Sequence, residues 1–271
     1  MSLKKIIGLF DNKNYAKLAL SKSKIYKKNR PFPHISIKNF LDKNVANTLF
    51  KKFPIYNSKK WIDHENYGRN KNTNFKKSID NELILPQEIR AFLREVNSRQ
   101  FILFLETLTG IDGLIADPYY MGGGCHISKE KGYLNIHKDF NWHHKLQLHR
   151  RVNALFYLTP DWKKEFNGSL ELWSKNKKIK EYAPLFNSCF IFNTTEKAFH
   201  GHPKPIVGKK TFRRVLNLYY YTVDNKSNEI VKPHFTDYTF KKNPNKFSNK
   251  LKSVKNSPWA SQLLKNYMDM K

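Results

Sequence analysis

The sequence predicts an α+β chain with a mainly β core: a double-stranded β-helix, or jelly roll, with N-terminal buttressing helices. Three observations carry that expectation. Before residue 110, apolar residues recur at helical spacing, as in Val45, Leu49 and Phe53, four apart. After Asp117 the chain changes to short apolar or alternating runs divided by Gly, Asn and Pro, the pattern of a double-sheet fold. Within this second part, His137 and Asp139 stand one residue apart in Leu134-Asn-Ile-His-Lys-Asp-Phe-Asn. A strand's period of two sends both side chains in the same direction.

The elements follow in order. Residues 1–29 form a basic, Lys-rich N-terminal segment of weak helical character. Residues 30–110 form a helical support region. It opens on Arg30-Pro-Phe-Pro-His-Ile-Ser-Ile, which reads as extended because proline disfavours helix in the residue before it. A helix is expected from Asn39 to Phe53, stopped by Pro54. Residues 57–80 are polar and read as irregular, and two further helical patterns, Gln87–Val96 and Arg99–Leu108, close at Gly110. Residues 111–223 form the β core. Its expected strands are Gly132–Asp139, Arg151–Leu158, Ser169–Trp173, Lys177–Glu181 with Tyr182, Ser188–Phe192 and Thr211–Thr222, with Gly122-Gly-Gly as a turn. Residues 224–271 read as a loose, basic C-terminal tail, with a short capped helix near Ser257-Pro-Trp-Ala-Ser-Gln-Leu-Leu.

Composition narrows the classes. At 271 residues and 39% hydrophobic content the chain can bury a sizeable core. No apolar run approaches the roughly 20 residues of a membrane span. The opening Met-Ser-Leu-Lys-Lys-Ile-Ile-Gly-Leu-Phe-Asp lacks a signal core and a cleavage site, so a cytoplasmic setting is expected. Cys125 and Cys189 are the only cysteines, too few for a disulfide framework and without Cys-x-x-Cys zinc spacing. The net charge of +28 permits an anionic partner such as nucleic acid or an anionic glycan. Only nine of the 50 basic residues are arginines, however, and lysine is spread along the whole chain, which disfavours a dedicated nucleic-acid site.

The candidate chemistry lies in an ordered set of residues. His137-x-Asp139 is followed by Asn167-Gly168 before Leu170-Glu-Leu, then by Cys189-Phe-Ile-Phe, then by Phe199-His-Gly-His-Pro, and last by Arg213 at the head of an aromatic strand. Two histidines and one carboxylate are the facial triad of non-haem Fe(II) oxygenases. Such a triad leaves three positions open, two for a chelating 2-oxo acid and one for O2. Either imidazole of His200-Gly-His202 is a candidate ligand. Strand parity groups Arg213 with Val215 and Asn217, and Arg214 with Leu216 and Leu218. That favours Arg213 as the inward carboxylate clamp, with Arg214 as the alternative. Tyr133 either offers a hydroxyl to the same carboxylate or is an ordinary packed tyrosine. His143, His144 and His149 lie in a polar loop and are expected to be exposed, while His126, after the glycine run, either faces the pocket or, as the favoured reading, is structural. A non-catalytic basic jelly-roll module is the competing reading.

These segments together resemble the prolyl-4-hydroxylase-like 2-oxoglutarate/Fe(II) oxygenase superfamily, in a bacterial branch. The resemblance runs over roughly residues 30–222, through Arg30-Pro-Phe-Pro-His-Ile, Leu108-Thr-Gly-Ile-Asp, Gly122-Gly-Gly-Cys-His, Gly132-Tyr-Leu-Asn-Ile-His-Lys-Asp-Phe-Asn and Arg150-Arg-Val-Asn. It continues through Leu170-Glu-Leu-Trp, Phe199-His-Gly-His-Pro and Arg213-Arg-Val-Leu-Asn-Leu-Tyr-Tyr-Tyr-Thr. It implies a dioxygenase with Fe(II) on His137, Asp139 and His200, and 2-oxoglutarate on Arg213, with Tyr133 beside it. O2 is the second cosubstrate, ascorbate a reductant, and the substrate a prolyl residue, a small molecule or a glycan. It also implies His200 rather than His202. Two departures stand out: Val215 occupies the usual Ser position, leaving Tyr133 or Asn217 to supply the missing hydrogen bond, and Asn167 occupies a usual Gly.

Overall fold

A computed structural model of the chain describes residues 3–64, 72–224 and 232–238. In chain order the elements are α1 (Lys13–Lys28), β1 (His34–Ile37), α2 (Lys43–Lys52), β2 (Ile62–Asp63), β3 (Thr73–Ile79), α3 (Gln87–Glu95), α4 (Arg99–Thr109) and β4 (Ile115–Ala116). They continue as β5 (Gly124–His137), β6 (Trp142–His143), β7 (Leu148–Tyr157), β8 (Leu170–Ser174), β9 (Lys177–Tyr182), β10 (Ser188–Asn193), β11 (Phe199–His202) and β12 (Phe212–Thr222).

Local chemistry sets the helix ends. The Asp42 carboxylate accepts from the amides of Asn44 and Val45, so α2 starts at Lys43, later than the expected Asn39. Ser98 caps α4 through the Phe101 amide, and Gly110 ends it at φ 73°, a conformation that costs glycine little. Residues 57–80 were expected to be irregular. They instead carry β2 and β3, because Thr73–Ile79 finds a pairing partner in β5 that its own weak pattern does not announce. The expected helix near Ser257 lies outside the described residues.

The strand order is β1-β10-β7-β12-β5-β11-β8-β9, with every neighbouring pair antiparallel. One 14-residue strand, β5, joins the two halves. Its first half pairs with β12 and its last residues with β11. The expected strand Gly132–Asp139 is thus the end of a longer one that stops at His137, two residues short of Asp139.

The first half of the sheet is buried on both faces, and parity sorts the faces cleanly. Val152, Ala154 and Phe156 of β7, Cys189 and Ile191 of β10, and Leu216, Leu218 and Tyr220 of β12 pack against the helices in one large core. Leu155 and Tyr157, Phe190 and Phe192, and Val215 point the other way. There they meet Leu170, Leu172 and Ala198 from the second half. The helices therefore brace one face, and the cavity opens between the two sheets. This is the double-stranded β-helix with N-terminal helical support.

Candidate metal and cosubstrate site

Period-two alternation brings the candidate residues onto the inner face. A cavity lies between the sheets, lined by His137, Asp139, His200, His202 and Arg213, among others. β11 lies antiparallel to β5 with His200 directly opposite His137. Their rings lie 4.5 Å apart. Asp139 sits two residues past the end of β5, and its Oδ1 lies 3.4 Å from His137 Nε2 and its Oδ2 3.5 Å from His200 Nε2. Among the described residues this is the one His/Cys/Asp/Glu group of three or more whose ligand atoms, one from each, all lie within 4.8 Å of one another.

The hydrogen bonds define the tautomers. His137 Nδ1 lies 2.8 Å from the Asn135 carbonyl, and His200 Nδ1 lies 2.8 Å from the Ala198 carbonyl. A carbonyl oxygen only accepts, so each Nδ1 carries the proton and each Nε2 presents a lone pair. Two imidazole lone pairs and a carboxylate then converge, an arrangement that repels itself unless a cation occupies the centre. Asp139 is kept anionic. Burial alone would raise its pKa, but the Arg150 guanidinium, the strongest opposing influence, holds it well below the usual carboxylate range. Its Oδ2 accepts from Arg150 Nη2 at 3.0 Å and from Asn153 Nδ2 at 2.7 Å. Burial chiefly lowers His200 to about 4, so the ring is neutral, as a metal ligand must be.

Deeper in the cavity, Arg213 donates to the Gly168 carbonyl (3.0 Å) and the Tyr157 hydroxyl (3.2 Å). Arg214, of opposite parity, instead lies over the rings of Phe50 and Phe212. His202 shares the inner face with His200 and lines the cavity, outside the three-residue cluster.

Several predicted placements differ. Tyr133 is not among the residues lining the cavity; it sits where β5 pairs Asn74, and the tyrosine against Arg213 is Tyr157. His143 is fully buried, its Nε2 3.2 Å from Asp117 Oδ1, because β6 folds the polar-looking loop back onto β7. His126 lines the cavity while its Nε2 meets the Gly123 carbonyl. Lys76 and Ser128 also line it. Lys76 of β3, Ser128 of β5 and Arg213 of β12 are register partners across three adjacent strands, so ammonium, hydroxyl and guanidinium form one rung. Only a register argument could have found Lys76, because β3 was unforeseen.

Among the described residues, most of the buried side-chain polar atoms left without partners cluster here. His126 Nδ1, Arg150 Nη1, His202 Nδ1 and Asn217 Oδ1 all belong to cavity-lining residues. A dry cavity would leave these groups at a cost of about 1–3 kcal/mol each. A polar, anionic ligand fits them, and so does a cation at the triad.

Residues 123–221 match the family model of the 2OG-Fe(II) oxygenase superfamily. No curated protein matches the chain. Solved structures that share its fold include three hydroxylase-type or 2-oxoglutarate-bound proteins. A prolyl hydroxylase from Trichoplax adhaerens, in complex with a hypoxia inducible factor oxygen degradation domain peptide fragment, aligns with TM-score 0.56 at 17% identity, covering 77% of this chain and 91% of its own. A Pseudomonas putida prolyl-4-hydroxylase gives TM-score 0.52 at 11% identity, with 75% and 98% covered. HygX from Streptomyces hygroscopicus, crystallised with nickel, 2-oxoglutarate and hygromycin B, gives 0.51 at 8%, with 74% and 86% covered. This chain carries the 2OG-Fe(II) oxygenase superfamily match over most of its β core, in a fold similar to that of the prolyl hydroxylases. It is an Fe(II)- and 2-oxoglutarate-dependent oxygenase. No described helix is long and apolar enough to cross a membrane.

Proposed function

We propose that His137, Asp139 and His200 hold the iron, and that Arg213 holds the distal carboxylate of 2-oxoglutarate. The enzyme then hydroxylates an unactivated C–H bond of a prolyl residue. The observation that carries this reading is the convergence of two Nε2 lone pairs on the Asp139 carboxylate. Bound iron with 2-oxoglutarate and O2 supplies the oxidising chemistry; the protein supplies orientation and exclusion of water.

Each neighbouring side chain has a task. Arg150 and Asn153 hold Asp139 ionised and fix its rotamer. The carbonyls of Asn135 and Ala198 fix the two imidazole tautomers. Arg213 brings charge and Tyr157 holds its fork in place. With Val215 at the usual Ser position, Ser128 and Lys76 in the same rung are the donors that replace the missing hydroxyl. Buried, free Cys125 and Cys189 accord with a reducing, cytoplasmic setting, in which ascorbate keeps the iron ferrous.

The test is an anaerobic titration with Fe(II) and then 2-oxoglutarate, read by the visible metal-to-ligand charge-transfer band. Wild type should develop the band, and His137→Ala, Asp139→Ala and His200→Ala should not. A folded wild type without the band would end this reading. Turnover of 2-oxoglutarate with prolyl peptides, small molecules and glycans then decides the substrate; stimulation by the latter two alone would remove the prolyl assignment.

A further inference from the structure

The C-terminal region reads as a loose tail, yet residues 232–238 lie across the triad. β5 ends at His137, and the next residue, Lys138, sits between the two candidate ligands of the His-x-Asp pair. Its amide and carbonyl both pair with Asp237, at 2.9 Å each, in an isolated antiparallel bridge. The Lys138 ammonium reaches Glu196 (2.8 Å) and Asp237 (3.4 Å). Glu196 in turn accepts from His234 Nε2 at 2.8 Å. The His234 amide donates to Asn141 Oδ1 (2.8 Å), and Asn141 Nδ2 donates to the Lys232 carbonyl (3.0 Å). Next along, the Tyr238 ring lies 5.2 Å from the His137 ring, tilted by 33°.

These contacts join separate parts of the chain. Glu196 lies four residues before His200, in the loop that delivers the third candidate ligand, and Lys138 lies between the first two. Two rings lie against His137, those of His200 at 4.5 Å and Tyr238 at 5.2 Å. Beyond the end of β5 the backbone of Lys138 pairs with this segment and, among the described residues, with no strand of the barrel.

We infer that residues 232–238 form a clasp that sets the geometry of the metal centre, with Tyr238 and Glu196 as its positioning residues. The inference rests on the reading of His137, Asp139 and His200 as ligands. The clasp limits the rotation of His137 and the wandering of the 137–139 turn, so that metal meets preorganised ligands. Neither Tyr238 nor Glu196 has to touch the metal. By linkage, metal binding must stabilise the clasp as much as the clasp favours metal.

The test uses the full chain and Co(II), whose visible d–d absorption reports the ligand geometry, with a melting curve of the metal-free protein alongside. Tyr238→Ala and Glu196→Ala should each weaken Co(II) binding on the order of tenfold and alter the d–d envelope, while the metal-free melting temperature stays near wild type. Tyr238→Phe keeps the ring and should bind as wild type. Glu196 is partly exposed at the surface, so its variant remains informative if Tyr238→Ala fails to fold. Amide exchange at Lys138 and Asp237 should slow when Co(II) binds. Wild-type affinity and spectrum in a folded Glu196→Ala, or metal-independent exchange at Lys138 and Asp237, would overturn the clasp. A wild type that binds no Co(II) would instead overturn the metal site itself.

Discussion

Single residues divide here into those that make charge and those that steer it. Arg213 is inward because the opposite parity of β12 is committed to the helical core, where Leu216, Leu218 and Tyr220 pack. Arg213→Ala should weaken 2-oxoglutarate binding roughly 10- to 150-fold, the loss of about 1.5–3 kcal/mol for a charged hydrogen bond, while Fe(II) affinity is kept. Titration of the charge-transfer band measures both, and an equal loss in Arg214→Ala would reverse the parity argument. Lys76 adds a pH signature. Burial, opposed by Asp139 and aided by Arg213, brings its pKa down to about 8. The ammonium attracts the carboxylate and the neutral amine does not. Affinity for 2-oxoglutarate should therefore fall as pH rises through about 8, and Lys76→Met should bind more weakly and lose that dependence. A wild-type profile flat between pH 7 and 9 would remove Lys76 from the cosubstrate seat.

Elements position the site by close backbone approach. β11 must lie near β5 for His200 to face His137, and Gly201 permits it. A Cβ there would meet the carbonyl oxygens of Asn135 at 2.7 Å and Leu134 at 2.8 Å. Both are rigid backbone, so Gly201→Ala should push β11 away and abolish Co(II) or Fe(II) binding before it unfolds the chain; undiminished metal affinity would contradict the register. β6 contributes through His143, whose buried pairing with Asp117 ties the loop to the start of the β core. His143 Nδ1 accepts from the Leu146 amide, so the link to Asp117 is an Nε2–H donated to a carboxylate, and losing such a charged hydrogen bond costs about 1.5–3 kcal/mol. Asp117 keeps the amides of Tyr119 and Met121, so urea unfolding of His143→Phe should show a loss near the lower figure.

At the scale of the whole molecule, charge and chemistry separate. The cavity is specific, whereas the +28 charge is spread over lysines throughout the chain. Binding to a polyanion such as heparin should be salt-dependent, lost progressively as salt rises, and indifferent to the removal of iron. Polyanion binding that required Fe(II) would instead make the charge part of the site. The helices act from outside: α4 and α3 bury Phe101, Leu105, Phe92 and Leu93 against the sheet face opposite the cavity. That bracing is what leaves the inner face free to carry polar residues.

The sequence by itself determined the fold class, most of the strands from residue 132 onward though not β6 or the β11 that carries His200, and the sides on which His137 and Arg213 lie. These follow from period-two alternation, which is local and needs no partner. Tertiary structure alone decided which elements meet. β3 becomes a strand only because β5 offers it an edge, which brings Lys76 level with Ser128 and Arg213. Tyr157 comes against Arg213 for the same reason, since cross-strand register lies outside any one segment. The burial of His143, and the clasp that ties residues 232–238 to the turn after His137, depend on contacts between segments 26 and about 100 residues apart. Sequence pattern records which way a side chain points along its own strand; what it meets there is set by the chain that folds back against it.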